Sequence, residues 1–378
     1  MSFAGFQTKA IVDTRRTVTI ISATLRGDGY EVAMGDRKQL YIGTDSGLTM
    51  MTESAGGWLP NGDALSGKFV RAMATVAATN TAYACVIKDG LYASRNGGKS
   101  WDLAFPGNVH SVAVDPNSPE VVYAGTEPVG LFRSSDCGRT WTQLSALNDQ
   151  PDTVTEKWWF PQFPHESHVL SVFVDWNDPG VLCVGLEHGG ILRSTDAGEH
   201  WEDVTAGIEY VDIHTVKGDP QHANLYYAAT ARGFYRSDQY GRSWVFSERG
   251  IDRSYFHDLV VIPGQPPTLL LTTANGTPPA WMRQERAQAA IFRSIDAGST
   301  WHQLAGGLPK SMERMVWNLS VDPNDPDHLY AGTGEAQGQR SENAATRGGV
   351  LASRDRGDTW EQIYEGSNTV RSVSIGLS

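Results

Sequence analysis

Ser134-Ser135-Asp136-Cys137-Gly138-Arg139-Thr140-Trp141 is a phrase that this chain repeats along its length. Ser194 to Trp201 (STDAGEHW), Ser294 to Trp301 (SIDAGSTW) and Ser353 to Trp360 (SRDRGDTW) keep its Ser, Asp, Gly and Trp. Ser94 to Trp101 (SRNGGKSW) and Ser237 to Trp244 (SDQYGRSW) carry Asn or Gln in place of the acid, and Met51 to Trp58 keeps little beyond the Trp. Each copy follows a short apolar run such as Gly130-Leu131-Phe132-Arg133, and its Trp opens another. The pattern predicts a β-hairpin whose turn is held by Ser and Asp side chains, with Gly supplying a positive φ and Trp a buried anchor.

The terminal Trp residues, from Trp58 to Trp360, follow one another at intervals of 43, 40, 60, 43, 57 and 59 residues. A unit of about 40 residues with four short strands is the signature of a propeller blade, and the longer intervals are blades with insertions. Two further phrases recur in phase. One is an inner strand ending in Asp, as in Val112-Ala113-Val114-Asp115-Pro116 and Leu319-Ser320-Val321-Asp322-Pro323; the other is of Tyr-Ala-Gly-Thr type, as in Tyr123 to Thr126 and Tyr330 to Thr333. Each blade therefore reads A, B, C, turn phrase, D.

The turn phrase resembles the Asp-box, or BNR repeat, of sialidases, xyloglucan-cleaving glycosidases, sortilin-type receptors and the photosystem II assembly factor. The resemblance covers nearly the whole chain after about residue 39 and implies an all-β propeller. It says little about function, because families sharing the box do unrelated things. True sialidases use six blades and a Phe/Tyr-Arg-Ile-Pro phrase that this chain lacks; Arg71 and Arg371 match two of their three arginines at most, and no nucleophilic Tyr can be matched. Xyloglucan-cleaving enzymes join two propellers and use paired Asp residues that have no evident counterpart. The photosystem II factor is a binding protein of similar size. By architecture alone, propeller lyases for uronate oligosaccharides, with a His-bound metal and an Arg in the central pocket, offer a chemical analogy.

Residues 1–39 form an N-terminal extension containing two strand-like runs, Thr17 to Thr24 and Tyr30 to Met34, and residues 40–378 form one propeller domain. Val370 to Ile375 reads as an inner strand with nothing after it, so it closes the first blade and gives seven blades. An eight-blade alternative makes Tyr30 to Met34 the first inner strand.

The 378 residues carry a net charge of -12 with no Lys/Arg-rich run, which disfavours nucleic acid as a partner. No secretory leader pattern and no apolar run of membrane-spanning length is present, leading to an expectation of a cytoplasmic protein without a membrane partner. Cys85, Cys137 and Cys183 suggest neither a disulfide framework nor a Cys-based metal site.

In a four-stranded meander the D-to-A and B-to-C connections share one face. The three insertions, Ser145 to His168, Ala274 to Ala289 and Gly334 to Gly348, are all connections of this kind, whereas every turn phrase lies on the opposite face. Function is expected on the face that bears the long loops. Aligning the inner strands on their Val-Asp ends selects one residue near the start of each: Arg371, Arg71, His110, Leu170, His214, His257 and Trp317. His165, His168 and His188 fall on the same face.

The predicted site is a pocket with two Arg on one side and imidazoles on the other. Arg71 and Arg371 are candidates for holding a carboxylate or phosphate. His110, His214 and His257, with Glu187 and Asp258, are candidate acids and bases. His110, His168, His188, His214 and His257 are candidate ligands for one divalent metal, Zn, Mn or Fe, with Glu127, Glu187, Asp258 or Glu335 completing the shell. Trp158, Trp159, Trp281 and Trp317 are candidate stacking surfaces for a sugar or aromatic ring. The leading expectation is a glycosidase- or lyase-like enzyme acting on a small anionic or hydroxylated molecule, a sugar acid, glycan or aromatic acid. The rival is a non-catalytic scaffold that clasps a protein partner with the same face.

Overall fold

Lys38–Thr44, Gly47–Ser54 and Gly57–Ala64 form an antiparallel meander whose inner edge is completed by Val370–Leu377, so the last strand of the chain closes the first sheet. Six more four-stranded antiparallel sheets follow in sequence, making a seven-bladed β-propeller. The computed structural model describes residues 37–162, 164–284, 286–336 and 347–377. The strand-like runs at 17–24 and 30–34, and most of the third insertion, lie outside the described residues.

The inner strands A of blades 2 to 7 are Val70–Val76, Val109–Val114, His168–Val174, Ile213–Gly218, Tyr255–Ile262 and Met315–Asp322. Each packs against the next, and Val370–Leu377 contacts both Met315–Asp322 and Val70–Val76. The B strands explain the Gly of the Tyr-Ala-Gly-Thr phrase. A Cβ added to Gly125 would lie 2.6 Å from Val169 Cγ1, and one added to Gly185 would lie 2.7 Å from Ile213 Cγ2. At these two points the blade lies too close to the next inner strand for any side chain.

The turn phrase works as a hydrogen-bonded knot. In the copy at Ser134, the Asp136 carboxylate accepts the backbone N–H groups of Arg139 (2.9 Å) and Thr140 (2.8 Å) and the Thr140 hydroxyl (2.7 Å), while Gly138 N–H donates to Ser134 Oγ at 2.8 Å. The copies at Ser294 and Ser353 repeat these bonds from the fifth and seventh residues. Gly138 adopts a positive φ as expected, but so does the residue before it, Cys137 (φ 58°), with Ala197, Tyr240, Ala297 and Arg356 in the equivalent place. A second interaction offsets that strain. The N–H of Cys137, Ala197, Tyr240 and Arg356 donates to the A-to-B loop of its own blade, at Glu120, Gly180, Asn224 and Asp327. Those loops are themselves built on the Asp that ends each inner strand: Asp115 accepts from Asn117 N–H and Asp322 from Asn324 N–H. One face of the propeller is therefore welded turn to turn.

The Trp of the phrase docks on the preceding blade: Trp141, Trp244 and Trp301 donate their indole N–H to Ala104, Val204 and Ser247. Two of the arginines before the phrase make ties between blades, with Arg236 donating to Ser299 Oγ (2.7 Å) and Arg293 to Asp358 (2.6 Å), each in the next blade, whereas Arg193 pairs with Glu202 of its own blade.

Candidate functional site

All seven inner strands carry a β-bulge, and each falls at the residue selected by aligning their sequences. Val70 pairs with Val86 and Ala72 with Cys85, which leaves Arg71 without a partner. The same slip isolates His110, Leu170, His214, Trp317 and Arg371, while in blade 6 His257 and Asp258 together stand against one partner residue. A bulge breaks the in-out alternation of a strand and re-aims the extra side chain. Here all seven, from Arg71 to Arg371, line one central cavity of about 530 Å³. Residues from all three insertions reach its wall: Gln162, then Pro278 and Pro279, then Ala336.

One side of the cavity is cationic. The Arg371 guanidinium lies 4.4 Å from the Trp317 ring and 5.4 Å from that of Phe69. Burial, and then the charge of Arg71, lower its pKa to about 10, so it stays cationic at neutral pH. Among the described residues no carboxylate lies within 4 Å of it, and its Nε has no hydrogen-bond partner. Arg71 approaches Glu187 Oε2 at 3.8 Å.

The other side is a chain of imidazoles and carboxyls contributed by neighbouring blades. His110 Nε2 lies 3.1 Å from Glu127 Oε2, and Glu127 Oε2 lies 3.6 Å from His168 Nδ1. His168 Nε2 donates to Glu187 Oε2 at 2.6 Å. Glu187, Asp212 and His214 then bring one donor atom each within 4.8 Å of one another. His214 Nδ1 donates to the carbonyl of Phe256 at 2.6 Å, which leaves its Nε2 facing Asp212 Oδ1 at 3.5 Å. Phe160, not its Trp neighbours, carries the first insertion onto this cluster, with its ring 5.5 Å from His168 and 5.4 Å from His188.

The charges of this cluster are split by environment. Burial alone would raise the Glu187 carboxyl, but the His168 hydrogen bond and the fields of His168, Arg71 and His214 outweigh it and hold Glu187 well below the usual carboxylate range. Asp212 moves the opposite way: burial raises it, and the negative charge of Glu187 adds to the rise against the pull of His214. Burial, then His214 and Arg71, push His257 far below the usual imidazole range, so it is neutral, and among the described residues its Nδ1 has no hydrogen-bond partner.

Several sequence-based assignments need correction. The five histidines proposed as ligands for one metal do not converge among the described residues. His110 and His168 group with Glu127, and His214 groups with Glu187 and Asp212; His188 and His257 join neither set. Asp258 does not present a free carboxylate to the cavity. It accepts Leu319 N–H (2.8 Å), the Asn318 amide (3.1 Å) and the Thr215 hydroxyl (3.1 Å), and so clamps blades 5, 6 and 7. Trp281 is fully buried in the helix Pro278–Gln284, behind Tyr255 and Trp317, and offers no stacking face. Trp158 packs on the apolar core of blades 3 and 4, and Trp159 is exposed and stacked on His165. Only Trp317 of the four lines the cavity. Glu335 is buried at the mouth of the third insertion, its backbone tied to Thr369.

Sequence reasoning overlooked Asp212, Tyr255 and Phe69. Asp212 stands two residues before His214, and Tyr255 two before His257. Each lies just ahead of the residue that the inner-strand alignment selects, and that proximity is the signal that could have found them.

No family model matches the chain. Xyloglucanase Xgh74A of Acetivibrio thermocellus is 26% identical over 241 residues, which is 56% of this chain and 27% of that protein. This chain thus spans well under half the length of the curated relatives it matches. The solved GH74 enzyme of Niastella koreensis superposes with a TM-score of 0.60 at 19% identity, covering 86% of this chain and 47% of that one. A YCF48 structure bound to D1 peptide superposes at 0.50 with 16% identity, covering 88% and 85%. The chain is a seven-bladed β-propeller whose fold is similar to those of GH74 xyloglucanases and YCF48.

Proposed function

We propose that the central cavity cleaves the glycosidic bonds of a carbohydrate bearing a carboxylate. Arg371 and Arg71 hold the acid group, Trp317 and Phe69 pack on the sugar, ionised Glu187 serves as base or nucleophile, and Asp212, whose carboxyl burial raises above its ordinary value, serves as the acid. The observation that carries this reading is the charge layout around one cavity: a cationic Arg371, with no carboxylate partner among the described residues, shares the wall with Glu187, and Asp212, grouped with Glu187 and His214, is displaced in pKa the opposite way. Buried cations without partners favour anionic ligands, and split carboxyl pairs assign acid and base roles. The xyloglucanase relatives support the carbohydrate class.

The test is release of reducing ends from two panels, neutral xyloglucan oligosaccharides and uronate-containing oligosaccharides. Cleavage of the uronate panel, lost in Glu187→Gln and weakened about tenfold or more in Arg371→Lys, supports the reading. Cleavage of neutral glycans alone, with Arg371→Lys unaffected, removes the anionic substrate. A peptide-binding reading is favoured by the likeness to YCF48 with its bound peptide. It predicts no turnover in either panel and no effect of Glu187→Gln on partner binding.

A further inference from the structure

At the edge of the cavity where blades 3 and 4 meet, His110 lines the wall and groups with Glu127 and His168 behind it in a donor set that glycan cleavage does not use. His110 is 7% exposed, and neither of its ring nitrogens has a hydrogen-bond partner among the described residues. A buried imidazole whose Nδ1 is unpartnered among the described residues and whose Nε2 faces only a carboxylate is costly, which marks it as a group shaped for something else. Glu127 stands 3.1 Å from His110 Nε2, yet the two do not meet in hydrogen-bond geometry. His168, 4% exposed, faces the same Glu127 oxygen with its Nδ1 at 3.6 Å, and that nitrogen is also unpartnered. The rings of His110 and His168 lie 4.0 Å apart at 37°.

The tautomer of His168 is fixed from outside. In the neutral form that binds a metal, the ring proton of His168 is the one Nε2 donates to the Glu187 carboxylate, which puts the lone pair on Nδ1, the nitrogen that faces Glu127. A carboxylate behind the imidazole, with the free nitrogen aimed at a second carboxylate, is how metal-binding histidines are commonly oriented. Two imidazoles and one carboxylate suit first-row divalent ions such as Zn²⁺, and donor separations of 3.1 and 3.6 Å match ligands placed about 2 Å from a common centre.

We propose that His110 Nε2, Glu127 and His168 Nδ1 bind one divalent transition-metal ion at the junction of blades 3 and 4, with Glu187 orienting His168 as an outer partner. His214 and His257 take no part in this site. The inference stands apart from the glycan reading, because metal content is measured without a substrate.

The experiment uses the full chain, stripped with chelator, dialysed and titrated with Zn²⁺, then with Co²⁺ as a spectroscopic probe. Stoichiometry is read by elemental analysis and affinity by calorimetry. The expected result is about one equivalent of Zn²⁺, Co²⁺ bands of low coordination number, and a melting temperature raised by Zn²⁺ and lowered again by chelator. Glu127→Gln, which keeps the shape of the side chain, and His110→Asn should abolish the equivalent, while Glu187→Ala should weaken binding by about 10–100-fold. His302→Ala, on strand D of blade 6, should bind as the parent does. Absence of Zn²⁺ from the parent protein would overturn the site. So would an equivalent retained in Glu127→Gln and lost in His214→Asn, which would assign the ion to the neighbouring Glu187–Asp212–His214 group.

Discussion

Glu187 and Asp258 both place a carboxylate beside the central cavity, and their surroundings give them opposite roles. Glu187 is on the wall, partly exposed, and its contacts run to His168 behind it and to Arg71 on the same wall. Its replacement by Gln should remove at least about a hundredfold of turnover while leaving the melting temperature close to that of the parent. Asp258 is spent on the backbone of Leu319, the amide of Asn318 and the hydroxyl of Thr215. Replacement by Ala strands those donors at a blade junction, and a stability loss of about 1–3 kcal/mol or more is expected, read from the midpoint of urea unfolding. A result in which Asp258→Ala destroyed turnover in a fully stable protein would return Asp258 to the catalytic group.

At the scale of the strand and turn, the repeated phrase predicts an acid limb. Asp136 and Asp355 are held below the ordinary carboxylate value of 3.8, first by the hydroxyls of Thr140 and Thr359 and then by backbone N–H groups. Asp196 is lowered to about 2, first by His200. A carboxyl depressed in the folded state stabilises fully above its unfolded value and loses that contribution as pH falls through the folded one. The contribution of these three carboxyls should therefore be constant above pH 3.8 and fall between there and about 2, read as the difference between the parent and their Asn variants. Asn at the three positions should flatten that fall, because Asn96 already makes the Ser100 backbone bond with its amide oxygen at 3.0 Å. The B strand has an equally local requirement. Gly125→Ala would push a methyl to 2.3 Å from Ser111 Oγ and 2.6 Å from Val169 Cγ1, and a cost of about 1–3 kcal/mol is expected, partly relieved by Val169→Ala.

For the whole molecule, the decisive element is the last strand. Val370, Val373 and Ile375 are buried against blades 1 and 7, and Val373 N–H donates to Asn318 of blade 7 at 2.8 Å. Removing residues 370–378 strips about 1.5–3 kcal/mol for each of these side chains and opens the inner edge of blade 1. Loss of the cooperative thermal transition, followed by circular dichroism, is the expected outcome. The strand also delivers Arg371, so closure and the cationic side of the cavity depend on the same residues. The all-β propeller, its blade order, its closure and the loop-bearing face were legible in the chain because they rest on local rules: an Asp and a Gly make a turn, alternation makes a strand, and repetition at a fixed interval makes a blade. The ring from Arg71 to Arg371 was legible for the same reason, since a bulge that recurs in every inner strand leaves its residue in register. Which carboxyl is free and which is clamped was not legible. Asp212, Glu127 and Asp258 are each one acid in a strand or loop, and their fates are set by donors from neighbouring blades, far away in sequence. Trp281 and Trp317 read alike in sequence, but only packing of the second insertion decided that one is buried behind the wall and the other forms it. Hydrogen-bond partners and burial across blade junctions are properties of the assembled ring, so local sequence determined the scaffold and tertiary structure alone determined the chemistry of its centre.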